Sequence, residues 1–228
     1  GAKASTDITY WPHAIRAGVE LKTRCRVREI TVDDKGMATG VIYYDEEGVE
    51  QEQKAEVVVV ACNGIGTPRL LLNSKSSLFP DGLANNSGMV GKNLMFHPYA
   101  HVQGTFDERL KGYQGPGGCC IWCQEFYETD LSRDFVRGYT MEITRGNGPI
   151  TTAMSGMASG TIPWGAGHHK AYREEFDRHA GMVIICEELP ELHNTVTLDP
   201  DLVDSDGIPA PKLNYTLSEN SKKMLQHG

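Results

Sequence analysis

Val57, Val58, Val59 and Val60 follow one another with no polar residue between them, and this run constrains the chain more than any other feature. Four β-branched residues without polar alternation suit a strand buried on both faces, at the centre of a parallel sheet. Ala61, Cys62, Asn63 and Gly64 come next and are small or turn-tolerant. Thr67 can then cap a helix with Pro68 at its first position and Leu70, Leu71 and Leu72 continuing it. The stretch 55–74 is therefore expected to be strand, tight turn and helix. Such a unit points backbone N–H groups beyond the strand's carboxyl end, where open α/β sheets hold phosphates and dinucleotides. Gly64 and Gly66 invite a G-x-G-x-x-G reading, but Arg69 stands where its third glycine would be. A purely structural turn in any α/β protein is an equal alternative on these residues alone.

The flanking sequence supplies a frame for this unit. Residues 5–18 read as a helix around Ile8, Trp11, Ala14 and Ile15, with Gly18 as its stop, followed by a short strand at 20–23. Residues 25–32, 37–45 and 49–54 read as three antiparallel strands joined by turns at Asp33-Asp34-Lys35-Gly36 and Glu46-Glu47-Gly48. Beyond a polar loop at 75–88 the texture changes near Pro98. Strands are expected at 100–106, 121–126, 136–144, 182–187, 195–198 and 212–216, and helices at 167–180 and at 218–226, where Ser218 caps. The fold class is α/β plus α+β: parallel strands with a three-stranded meander over residues 1–98, then a mostly antiparallel domain over 99–228.

With 228 residues, 39% of them hydrophobic and 23% charged, the chain can bury a sizeable core. A formal charge of −8, without a Lys/Arg cluster along the sequence, argues against a nucleic-acid partner. No apolar run approaches the roughly 20 residues of a membrane span, and a cytoplasmic location is expected. Of the six cysteines, Cys120 and Cys123 have ligand spacing. Neither a second C-x-x-C nor a histidine pair follows at zinc-finger distance, so no metal site is assigned. Cys25, Cys62 and Cys186 are expected in or at the ends of strands as small buried hydrophobes. No G-x-S-x-G elbow supports a hydrolase.

The stretch Asn63-Gly64-Ile65-Gly66-Thr67-Pro68-Arg69-Leu70-Leu71-Leu72-Asn73-Ser74 resembles the second signature of the glucose-methanol-choline (GMC) oxidoreductase family. Val90-Gly91-Lys92-Asn93-Leu94-Met95-Phe96-His97-Pro98 resembles that family's V-G-x-N-L-x-x-H-P segment. Thr9-Tyr10-Trp11-Pro12-His13-Ala14 with residues 19–27 resembles the helix and strand leading into its meander. The chain departs from the family in having Asn63 where Gly or Ser is usual and Lys75 where a glycine follows the serine.

The resemblance implies a two-dinucleotide-binding-type FAD domain over 1–98 and part of a substrate domain over 99–228. It implies FAD as cofactor and hydride transfer from the CH–OH carbon of an alcohol or sugar to flavin N5. The residues it places at the cofactor are Val27, Ala61, Cys62, Asn63, Gly64 and Thr67, with His97 near the domain boundary. The family's pyrophosphate-binding glycines and its catalytic histidine have no counterpart among these 228 residues. The expectation is thus a central fragment with no catalytic residue of its own, inactive alone, whose unpaired apolar edges favour self-association. The substrate is a small molecule, the electron acceptor is left open, and a non-catalytic α+β binding module is the alternative.

Overall fold

The structure, a computed structural model, describes residues 4–114 and 121–228. In chain order the elements are α1 (Trp11–Arg16), β1 (Arg26–Val32), β2 (Ala38–Tyr44), β3 (Glu50–Lys54), α2 (Asn63–Asn73), β4 (Tyr99–Thr105) and β5 (Ile121–Cys123). They continue with β6 (Tyr139–Thr144), α3 (Pro149–Ser159), α4 (His168–Glu175), β7 (His179–Cys186), β8 (Thr195–Val203), β9 (Pro209–Asn214) and α5 (Glu219–His227). Two compact units result. The first runs to Met95 and takes back Pro190–Thr216, while the second comprises Phe96–Leu189 with Leu217–Gly228. The chain passes to the second unit between Met95 and Phe96 and returns to the first with β8 and β9, so the units are not the continuous spans 1–98 and 99–228.

In the first unit β1, β2 and β3 form the antiparallel meander, in that order. Both of its turns use one device, an aspartate three residues before a glycine. Asp33 Oδ1 accepts from the N–H groups of Lys35 and Met37 while Gly36 takes φ +79°. Asp45 Oδ1 accepts from Glu47 and Val49 while Gly48 takes φ +73°. The β8–β9 turn repeats it with Asp204, which accepts from Asp206 and Ile208, and Gly207 at φ +74°. The aspartate satisfies the turn's N–H groups and the glycine supplies the left-handed residue at little cost.

Helix α2 closes the free edge of β1. Ser74 Oγ accepts from the Ile30 N–H at 2.9 Å and donates to Leu70, and Asn73 Nδ2 donates to the Arg28 carbonyl at 2.8 Å. The helix carries Arg69 to the β8–β9 turn, where Nε donates to Pro209 at 2.7 Å and Nη2 to Asp204 at 2.8 Å and to Ile208 at 3.0 Å. The V-G-x-N-L stretch lies against β8. Val196 donates to Gly91 at 2.7 Å, Leu94 donates to Asn194 at 2.9 Å, and a Cβ on Gly91 (φ +79°) would meet the Val196 carbonyl at 2.1 Å. Asn194 is fully buried and satisfied, its side chain exchanging both hydrogen bonds with the Thr216 backbone.

Several expectations are corrected here. The valine run is neither paired nor buried: it forms no strand among the described residues, and Val57 and Val59 are 77% and 83% exposed. β-propensity makes residues ready for a sheet, but only a neighbouring strand completes their N–H and C=O groups, and none lies beside them here. Every strand pairing is antiparallel, so the parallel strands expected over 1–98 are not formed among the described residues. The helix expected over 5–18 shortens to Trp11–Arg16, and residues 20–23 form no strand.

The second unit is a four-stranded antiparallel sheet in the order β4-β7-β6-β5. The register places Ala100, Ile184, Cys186, Tyr139 and Met141 on one face. That face packs with Phe135 and with Met224 of α5 into the core. Ser218 caps α5 as expected, accepting from the Ser221 N–H at 3.1 Å. The opposite face carries Tyr99, His101, Gln103, Glu142 and Thr144 and is open. Helix α3 was not foreseen: Gly148 precedes it, Pro149 occupies its first position and Gly160 ends it at φ +80°.

Candidate cofactor site

Helix α2 begins at Asn63, four residues before the Thr67 cap and Pro68 start that the sequence favours. Asn63 (φ +61°) does the capping: its Oδ1 accepts from Ile65 at 3.0 Å and Gly66 at 3.2 Å. Thr67 lies inside the helix and its Oγ1 accepts from the Cys62 N–H at 3.2 Å. Pro68 is also interior and cannot donate to Gly64. The N–H groups of Asn63 and Gly64 have no acceptor among the described residues, and the first turn carries no acidic side chain. Two N–H groups thus remain open at the positive end of the helix.

Two cavities flank this terminus. One, of about 260 Å³, lies between β1 and α2 and is lined by Val27, Cys62, Gly66, Leu70 and Ile208, with Arg26, Arg28 and Arg69 among its walls. The other, of about 420 Å³, is lined by Gly64, Thr67, Pro68, Leu71, the segment 90–95 and Val196. The structure therefore brings Val27 and Cys62 together and sets Gly64 and Thr67 toward the second cavity. Ala61 lines neither. Asn63 stands at the junction with its side chain committed to the cap. His97 belongs to the second unit, where its Nδ1 donates to the Cys186 carbonyl at 3.2 Å.

Charge distinguishes the smaller cavity, and no motif marks it. Arg69 is paired with Asp204 and Arg28 with Glu29 and Glu50. Hydrogen bonds donated to the Tyr44 hydroxyl and the Glu29 carboxylate hold the Arg28 guanidinium charged, pushing its pKa up. Arg28 Nε is nonetheless buried with no acceptor. Burial pushes the Asp204 carboxyl up, but the Arg69 guanidinium and the Ile208 and Asp206 N–H groups outweigh it and hold it below the usual carboxylate range. The arginines come from alternate positions of a strand and from a helix 40 residues on, so they adjoin only when β1 and α2 pack. Arginine side chains beside the apolar Val27, Leu70 and Ile208 suit a polar or anionic ligand with a flat apolar part.

The cysteine expectations change accordingly. Cys62 is exposed and Cys25 partly so, both bordering this cavity, and only Cys186 is buried, its thiol pushed up to about 11. Cys120, half of the C-x-x-C spacing, falls outside the described residues, and among those described no cluster of three metal-ligating side chains occurs. No helix among them is long and apolar enough to cross a membrane.

A β-meander backed by a helix whose N-terminus opens on a cavity serves many functions, and sequence comparison narrows the class. Residues 1–99 match the family model described as GMC oxidoreductase. The 2-methyl-1,2-propanediol dehydrogenase of Mycolicibacterium austroafricanum is 42% identical over 232 residues, covering 100% of this chain and 42% of that protein. The fructose dehydrogenase large subunit of Gluconobacter japonicus is 28% identical over 218 residues, 92% of this chain and 38% of the relative. The 6'''-hydroxyparomomycin C oxidase of Streptomyces lividus is 27% identical over 224 residues, 95% of this chain and 37% of the relative. Residues 1–99 thus place the chain with the GMC oxidoreductases, a family of flavoprotein dehydrogenases and oxidases. It spans about two fifths of the length of these curated relatives.

Proposed function

We propose that this chain is the central part of an FAD-dependent oxidoreductase that oxidises the CH–OH group of a small alcohol or sugar. The observation that carries the cofactor half of this reading is the meeting of Val27 of β1 and Cys62 of the α2 turn in one cavity. Those residues are 35 positions apart in the sequence and were both expected at the cofactor. The names of the relatives, a diol dehydrogenase, a fructose dehydrogenase subunit and an aminoglycoside oxidase, support the substrate class.

Bound FAD supplies the hydride acceptor for the alcohol carbon. The chain's own residues then hold and orient it. Val27 and Leu70 offer apolar surface to a ring in the smaller cavity, and the Asn63 and Gly64 N–H groups offer two donors at the helix terminus, where Gly64 lines the larger cavity. Gly64 fits this role because a Cβ there would meet nothing within 4 Å of the chain itself, so packing within the chain does not require a glycine. In the second unit, the open polar face of the β4-β7-β6-β5 sheet, with His101, Gln103, Thr144 and His179 around a cavity of about 450 Å³, offers hydrogen-bonding groups suited to a hydroxylated substrate. None of these 228 residues is assigned the hydroxyl proton.

Alkylation tests the cofactor site without relying on turnover. Cys62 is exposed and should react with iodoacetamide in the intact apoprotein, whereas saturating FAD should protect it. Peptide mapping that finds equal labelling of Cys62 with and without bound FAD would remove the cofactor from this cavity.

A further inference from the structure

A cavity of about 690 Å³ in the second unit is lined by Gly167, His169, Lys170, Arg173, Glu174 and Arg178, among others. The chain has 22 basic residues against 30 acidic ones, so its cations have ample partners. Even so, Lys170, Arg173 and Arg178 take part in no ion pair among the described residues. Glu174 borders the same cavity and pairs with none of them, Glu175 is held by His179, and Asp177 accepts from the Gly112 N–H. Arg178 reaches the Asp107 carbonyl through Nη1, yet its Nε is buried with no acceptor.

Local electrostatics make the arrangement costly in the empty state. Helix α4 starts after Gly167 (φ +87°) with no side-chain cap and no acidic residue in its first turn. His168, His169 and Lys170 stand there instead, and the positive end of a helix dipole disfavours cations. His168 donates through its N–H to Gly165, and Lys170 and Ala171 donate to Gly167, which leaves the His169 N–H without an acceptor among the described residues. Three cations without an ion pair and an open helix N–H therefore border one cavity, and all are relieved by the same kind of guest.

We propose that this cavity binds an oxyanion of the phosphate class, either free or as the phosphoryl group of a small molecule. Arg173 and Arg178 supply forked donors, Lys170 a point charge and His169 a backbone N–H. The proposal goes beyond the flavin reading and does not rest on it, since none of these residues is placed against the cofactor.

Titration calorimetry on the intact protein, at constant ionic strength in chloride, tests it with inorganic phosphate, glycerol 3-phosphate and glycerol as the uncharged control. Saturable binding of one or both anions is expected, with no heat from glycerol. Tighter binding of glycerol 3-phosphate identifies a phosphorylated molecule as the ligand, and tighter binding of inorganic phosphate identifies the free anion. Lys170 and Arg173 are exposed, so a Lys170→Gln/Arg173→Gln variant keeps its fold, checked by circular dichroism, and should bind at least tenfold more weakly. A Lys75→Gln control, away from this cavity, should bind like the parent. Absence of saturable binding of either anion up to about 10 mM, or an unchanged affinity in the double variant, would overturn the proposal.

Discussion

Arg69→Met is the most informative single change in the first unit. The substitution keeps an unbranched apolar stem beside Leu70 and removes three donated hydrogen bonds, to Pro209, Asp204 and Ile208. The side chains of Arg69 and Asp204 are 15% and 21% exposed, so water reaches them only in part. A hydrogen bond involving a charged group contributes about 1.5–3 kcal/mol, and breaking a fully buried pair costs about 3–5 kcal/mol. The bonds share one guanidinium and are not additive, and partial exposure lowers the total, so about 2–4 kcal/mol is expected. Asp204 keeps its bonds from the Asp206 and Ile208 N–H groups, which softens the loss. Urea unfolding of the parent, Arg69→Met, Asp204→Asn and the double variant measures the coupling directly. The pH dependence gives a second readout. Because the folded Asp204 carboxyl is held below its ordinary range, its stabilisation is present above the unfolded pKa of about 4 and fades as pH falls through the folded value. Asp204→Asn should flatten that part of the acid limb. An Arg69→Met variant within about 0.5 kcal/mol of the parent, the range of ordinary surface changes, would show that α2 does not depend on the β8–β9 turn.

Other outcomes follow from the same geometry. Gly91→Ala should cost at least about 3 kcal/mol in thermal unfolding, because its Cβ would fall 2.1 Å from the Val196 carbonyl at φ +79°. Gly64→Val should leave apoprotein stability within about 0.5 kcal/mol, since its Cβ meets nothing within 4 Å, while lowering flavin retention after gel filtration; full retention would count against a close approach of cofactor there. Cys186 should stay unmodified by a thiol reagent at pH 8 until the protein unfolds, because burial holds its thiol near 11. Early labelling of Cys186 would contradict the packing of α5 on the sheet.

The parts of this fold that were legible are those written in neighbouring residues. Asp33 with Gly36 and Asp45 with Gly48 announce two hairpin turns, and the strands around them form as expected within a residue or two. Ser218 announced α5 by the same local logic. Helix α3 was illegible because its amphipathic pattern is inverted: it buries Thr152 and Gly156, leaving Ile150 80% and Met154 59% exposed. Gly156 is buried because Ile162 lies where its Cβ would be, a contact that no periodicity reveals. At α2 the Thr67-Pro68 pair carries the commoner start signal, yet Asn63, able to adopt a positive φ and cap two N–H groups at once, takes the position. For the candidate site, the turn residues entered through the family resemblance, and the arginine wall had no such mark. Its members adjoin only through the packing of α2 on β1, and a single sequence carries no mark of that adjacency.

The return of residues 190–216 to the first unit bears on how the protein is made. During synthesis the β1-β2-β3 meander and α2 emerge early, but β8, the strand that fixes Gly91 and Leu94, leaves the ribosome more than 90 residues later. At the usual elongation rates of about 5–20 residues per second, the 90–94 segment waits on the order of ten seconds for its partner. The four-stranded sheet of the second unit is translated in that interval, but its core takes Met224 from α5, which follows β9, so both units wait on residues 190–228. A ribosome pause after Leu189 is added would lengthen the exposure of the unfinished first unit to chaperones and proteases, whereas the same pause once β9 has left the ribosome would not.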